Sequence, residues 1–159
     1  MKNFFLTATM AAILVGCAQA RPIPLSNLVG PASELPSSGP AGTLVVYSAY
    51  ETQASAASPF DDVRPYTSYK LYSEKGELLQ KIDNSNTGLG DTPTSVRLAP
   101  GIYHIVALSN GHGLVEVPVR VEDNQVTAVH LDSEGPAIRN KKLAIRLSSG
   151  EVVGWSGAE

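Results

Sequence analysis

The chain has 159 residues with 12 basic and 15 acidic side chains, a formal net charge of −3 and a single cysteine. A mildly acidic balance without clustered Lys and Arg leaves no electrostatic footprint for nucleic acid, and one thiol excludes an intramolecular disulfide. The length suits one domain plus a tail.

Lys2 supplies a positive charge ahead of an apolar run, Phe4 to Val15, broken only by Thr7 and Thr9. The run is too short to cross a bilayer core, which takes roughly 20 residues, and it suits a secretory signal. It ends in Leu14-Val15-Gly16-Cys17, which holds the only cysteine. That stretch resembles the lipobox of bacterial lipoprotein precursors. The resemblance implies cleavage between Gly16 and Cys17, a diacylglyceryl thioether on Cys17 and acylation of the new amino group. Residues 1–16 would be the signal peptide, and the membrane a partner through the lipid on Cys17. Ala18, not Asp, follows the cysteine, which in proteobacterial lipoproteins favours the outer membrane. The alternative is an ordinary signal peptide cut after Ala18 or Ala20, with Cys17 lost.

Residues 17–41 hold Pro22, Pro24, Pro31, Pro36 and Pro40 among serine, alanine and glycine. This composition predicts a semi-rigid linker, reaching up to ~70 Å at about 3.1 Å per residue. The folded domain is expected over 42–159. With no disulfide, an exported domain of this size must be held by its hydrophobic core.

Thr43 to Glu51 is β-branched and aromatic and predicts a strand. Residues 52–67 read as a loop. Tyr69 to Ser73 and Leu78 to Ile82 flank Glu74-Lys75-Gly76-Glu77 as a hairpin, and 83–93 form a second loop. Val96 to Leu98 stops at Pro100-Gly101. Ile102 to Leu108, Leu114 to Val121 and Val126 to Leu131 follow as strands, with loops at 109–113 and 123–125. Lys142 to Leu147 and Glu151 to Trp155 read as a last hairpin around Ser148-Ser149-Gly150. Short strands at regular spacing predict an all-β sandwich.

Val115, Val117, Val119 and Val121 share one face by the two-residue period of a strand. The 109–113 loop then pairs Val115 with Ala107, Val117 with Ile105 and Val119 with Tyr103. The 123–125 loop pairs Val121 with Thr127, Val119 with Val129 and Val117 with Leu131. One core face results. Pro118 is the misfit, since it cannot donate to a ladder and needs an edge, a bulge or a change of partner.

Leu98-Ala99-Pro100-Gly101-Ile102-Tyr103-His104-Ile105-Val106-Ala107, then Gly111-His112-Gly113 and the alternating valines, resemble the L-x-P-G-x-Y-x-V-x-A pattern of PEGA-like and carboxypeptidase-regulatory-like modules. The resemblance covers residues 95–132. It implies an immunoglobulin- or transthyretin-like antiparallel β-sandwich, here of about 7–9 strands, of a kind common in bacterial envelope proteins.

Chemistry-bearing patterns are sparse. In the register above His104 and His130 point away from the core on either side of Pro118, and His112 lies in a loop. A zinc site needs three or four converging ligands, and no third ligand is placed beside that pair. Asp83-Asn84-Ser85-Asn86-Thr87-Gly88 has the alternating oxygens of a calcium loop. The position where an EF-hand has its bidentate Glu is Thr94, with Asp91 as a substitute, so a polar turn is expected; Asp61-Asp62 reads as a solvated pair. No serine sits in a G-x-S-x-G elbow, and Gly88-Leu89-Gly90 is not a phosphate loop. No catalytic residue, metal or cofactor is called for.

The remaining signal is aromatic: Tyr47, Tyr50, Tyr66, Tyr69, Tyr72 and Trp155 lie on or beside predicted strands. Tyr66, Tyr72 and Trp155 are the candidate ligand surface, with Tyr66, beside Pro65, expected to be exposed. The expectation is a non-catalytic, lipid-anchored envelope module that binds an envelope protein or glycan, or serves structurally. A carbohydrate-binding module would require those aromatics on one open face. A small metal-dependent hydrolase would require histidines and carboxylates converging in a pocket. An accessory subunit of a larger complex would show a contiguous apolar patch.

Overall fold

The computed structural model describes residues 20–36, 41–50, 65–84, 92–132 and 143–157. They build an all-β sandwich without helix. One sheet holds β1 (Ile23–Pro24), β8 (Gly113–Val121), β7 (Gly101–Ser109), β4 (Tyr69–Ser73) and β5 (Leu78–Ile82), in that order. The other holds β10 (Ala144–Arg146), β11 (Val152–Ser156), β9 (Gln125–His130), β3 (Gly42–Tyr47) and β6 (Ser95–Leu98), and β2 (Ala32–Pro36) also pairs with β9. Both sheets are mixed: β1 runs parallel to β8, and β3 parallel to β9.

Local sequence explains the hairpins. Gly76 takes a φ of 81° in the β4–β5 turn, a conformation that costs glycine little. In β7–β8, Ala107 faces Val115, Ile105 faces Val117 and Tyr103 faces Val119, as the alternation predicts. The Tyr103 hydroxyl donates to the Ala99 carbonyl at 2.9 Å. That bond staples the Pro100-Gly101 turn to the strand it feeds. Val115, Val117, Val119 and Val121 point into the core beside Leu44, Val46, Leu71, Ile105, Val129 and Leu131. Each fully buried aliphatic side chain contributes about 1.5–3 kcal/mol.

Two expectations are corrected. First, β9 is not the hairpin partner of β8. After Val121 the chain turns at Asn124, whose φ is 57°, a left-handed geometry that asparagine tolerates. It then crosses to the other sheet, where Thr43 faces Val126 and Tyr47 faces His130. Val129 and Leu131 still face the core, now from the opposite layer.

Second, part of the presumed linker belongs to the sandwich. Leu25 and Val29 are 5% and 4% exposed and sit in the core, and β2 lies along β9. Apolar residues four apart carry this segment into the fold despite its prolines, which are compatible with an extended edge. This placement also accounts for Pro118. Leu25 N donates to the Glu116 carbonyl at 2.9 Å, Val29 N to the Pro118 carbonyl at 2.9 Å, and Arg120 N to the Val29 carbonyl at 2.7 Å. In an unbroken parallel ladder the Leu25 carbonyl would be met by the N–H of residue 118, which proline lacks. The segment therefore leaves the edge after Leu25 and rejoins it at Val29.

Candidate functional site

Gly16 and Cys17 lie outside the described residues, as do Asp61, Asp62 and Asp91. The three candidate aromatics do not share a face. Tyr72 is half-buried on the outer face of the first sheet. Tyr66 and Trp155, only 5% and 8% exposed, belong to a cluster on the second. Tyr66 is thus buried rather than exposed: it forms a bridge with Tyr50 across the ends of its loop.

His130 is likewise not an exposed side chain. It is 2% exposed and lies between two rings, stacked on Tyr47 at 4.0 Å and 9° and on Trp155 at 3.6 Å and 7°. Tyr47 and Trp155 are its direct neighbours on the two flanking strands, where side chains on one face meet. Tyr66 meets Tyr47 edge-on at 5.7 Å and stacks on Tyr50 at 4.9 Å. Asp132 closes the cluster. Its Oδ2 accepts from the Tyr50 hydroxyl at 3.3 Å and the Tyr66 hydroxyl at 3.5 Å, and its Oδ1 stands 3.9 Å from His130 Nδ1. His130 Nε2 donates to the Gly157 carbonyl at 3.1 Å. Gly154 lets β11 come this close, since a Cβ there would collide with the His130 carbonyl. Both faces of the imidazole and its Nε2 are occupied, so the chemistry of the group is cohesion between three strands. Sequence reasoning names Tyr47 and His130 without bringing them together, and it does not single out Asp132. The available signal was the absence of charge from Val126 to Leu131, the mark of a central strand covered on both faces.

Burial first, then the Tyr50 hydrogen bond and the Asp132 charge, hold the Tyr66 phenol above its ordinary value of 10.0. Burial alone raises Tyr69, which faces the core. The folded state keeps these protons while the unfolded chain releases them, so stability is intact below about pH 10 and falls above it. For the deeply buried Tyr69 the loss approaches about 1.4 kcal/mol per pH unit. In an alkaline titration Tyr66 and Tyr69 should ionise only as circular dichroism reports loss of the sheets. Tyr66→Phe should shrink that late phenolate step; an unchanged step would place Tyr66 among the freely titrating phenols.

The other polar candidates separate. Asn84 is a clamp: Nδ2 donates to the Val46 carbonyl at 2.8 Å and to Ser48 Oγ at 3.3 Å, and Oδ1 accepts from Thr94 N at 3.0 Å. The Thr94 hydroxyl donates to the Asp83 carbonyl at 2.8 Å. Asn84 and Thr94 thus secure the end of β3, while Ser85, Asn86, Thr87 and Gly88 of the same motif lie outside the described residues. His112 approaches Glu151 at 3.3 Å. Among the described residues no three His, Cys, Asp or Glu side chains are grouped to hold a metal.

Among the described residues, a concave feature lies on the outer face of the first sheet. A groove of about 740 Å³ runs over β4, β7 and β8, between Ala20 and Pro22 on one side and the Glu74-Lys75-Gly76 turn on the other. Lys70, Tyr72, His104 and Glu116 form its floor, with His104 Nδ1 3.0 Å from Glu116 Oε1. No known protein family matches the chain, and comparisons with curated proteins and with solved structures give no match.

Proposed function

We propose that the chain is an exported lipoprotein held at a membrane by a diacylglyceryl thioether on Cys17, with its sandwich serving as a non-catalytic binding or structural module of the cell envelope. The observation that carries this reading is Leu14-Val15-Gly16-Cys17 at the end of the apolar run that follows Lys2. The cohesive role of the Tyr47-His130-Trp155 stack leaves the groove on the first sheet, with Tyr72 on its floor, as the surface suited to a ligand or partner. The 95–132 pattern, similar to PEGA-like and carboxypeptidase-regulatory-like modules, points to the same class. Ala18 after the cysteine favours the outer membrane of a Gram-negative cell.

The lipid supplies the attachment: each buried CH₂ is worth about 0.8 kcal/mol, and stable anchoring takes two chains. Cys17→Ala should abolish acyl labelling and move the protein from the membrane fraction to the soluble fraction. Full membrane retention without acyl label would overturn the lipoprotein reading.

A further inference from the structure

We propose that the sandwich lies directly against the membrane through the outer face of its first sheet, with the groove opening toward lipid headgroups. The inference rests on the lipid-anchor reading and adds an orientation to it. Ala20 lines the groove, and Cys17 is three residues upstream. At no more than about 3.6 Å per residue, the lipid-bearing residue stays within about 11 Å of Ala20. Sheets in a sandwich stand about 10 Å apart before their outward side chains are added. A leash that short, starting over the first sheet, cannot reach round to the second. The tether that composition suggests is therefore spent along the sandwich edge.

The surface so presented fits a headgroup layer. Lys70 and Lys75 line the groove, and Lys81 stands opposite Lys70 on β5. Glu74 also lines it, while Glu116 is engaged by His104. Lys70, Lys75 and Lys81 thus place three ammonium groups where lipid phosphates would meet them, interspersed with Glu74, Glu77 and Glu116. Leu78, 57% exposed, faces Tyr72 on the same strand pair. Basic groups beside exposed apolar ones are the composition of an interfacial surface.

Thioether formation blocks the only native thiol, so an introduced cysteine can be labelled alone. Lys75→Cys, on the groove rim, and Ser95→Cys, exposed on the edge strand β6 of the second sheet, would each carry a fluorophore. The lipidated full-length protein would be reconstituted into phosphatidylethanolamine/phosphatidylglycerol vesicles containing headgroup spin-labelled lipid. The label at residue 75 should be quenched several-fold more strongly than the label at residue 95. A second pair, Glu77→Cys against Arg97→Cys, should give the same order and guards against a local effect of either label. Equal or reversed quenching in protein that mass spectrometry shows to be acylated would overturn the orientation while leaving the anchor intact. Absence of acylation would remove the anchor itself, and the orientation with it.

Discussion

A chain begun at Gly42 should lose about 4–7 kcal/mol of stability relative to one begun at Ala20. Two aliphatic side chains, Leu25 and Val29, leave the core. Val115 and Val119, wholly buried in the intact fold, are uncovered at the β8 edge. The bonds from Leu25, Val29 and Arg120 that close this edge go with them, as does the pairing of β2 with β9. Small domains have about 5–15 kcal/mol in total, so the shorter chain sits near its unfolding threshold. Urea titration followed by the fluorescence of Trp155, the single tryptophan, measures the difference. Equal midpoints for the two chains would return residues 20–36 to the status of a passive tether.

Trp155→Ala should destabilise the fold by about 3–5 kcal/mol, the range for removing a large buried aromatic. The indole also covers one face of His130, and stacked pairs contribute about 0.5–1.5 kcal/mol beyond the area they bury. Combining Trp155→Ala with His130→Ala should therefore give a double-mutant coupling of that size. Thermal melts followed by circular dichroism suit the series, because the variant has no tryptophan to report. Additive losses would mean that the rings are neighbours without mutual stabilisation. Tyr47→Ala, which strips the opposite face of the same imidazole, should couple to His130→Ala in the same way.

Where neighbouring strands are joined by short turns, the sequence is a reliable guide to their pairing. The β4–β5 hairpin and the β7–β8 register follow from Gly76, from the 109–113 loop and from the alternation of valines with Glu116, Pro118 and Arg120. The path of β9 was not legible for a definite reason. A hairpin at 123–125 and a crossing to the other layer both send Val129 and Leu131 inward, so the two-residue period cannot separate them. What distinguishes them is the outer face, where Ala128 and His130 are buried too. The N-terminal segment was obscured by averaging. Its prolines dominate the composition, while Leu25 and Val29 decide its place. Tyr66 was misplaced because it lies in a loop far in sequence from its partners Tyr47 and Asp132.

The two parallel pairings also set the order of events in folding. β1 waits for Val115, and β3 waits for Val126, so neither sheet can be completed until most of the polypeptide is present. The local hairpins can form early, but an isolated hairpin is marginal in water. Mixed sheets joined over such separations fold on the millisecond-to-second scale. Under the proposed export from the N-terminus, this delay would have a use: no early part of the chain would lock into a compact body and block the passage.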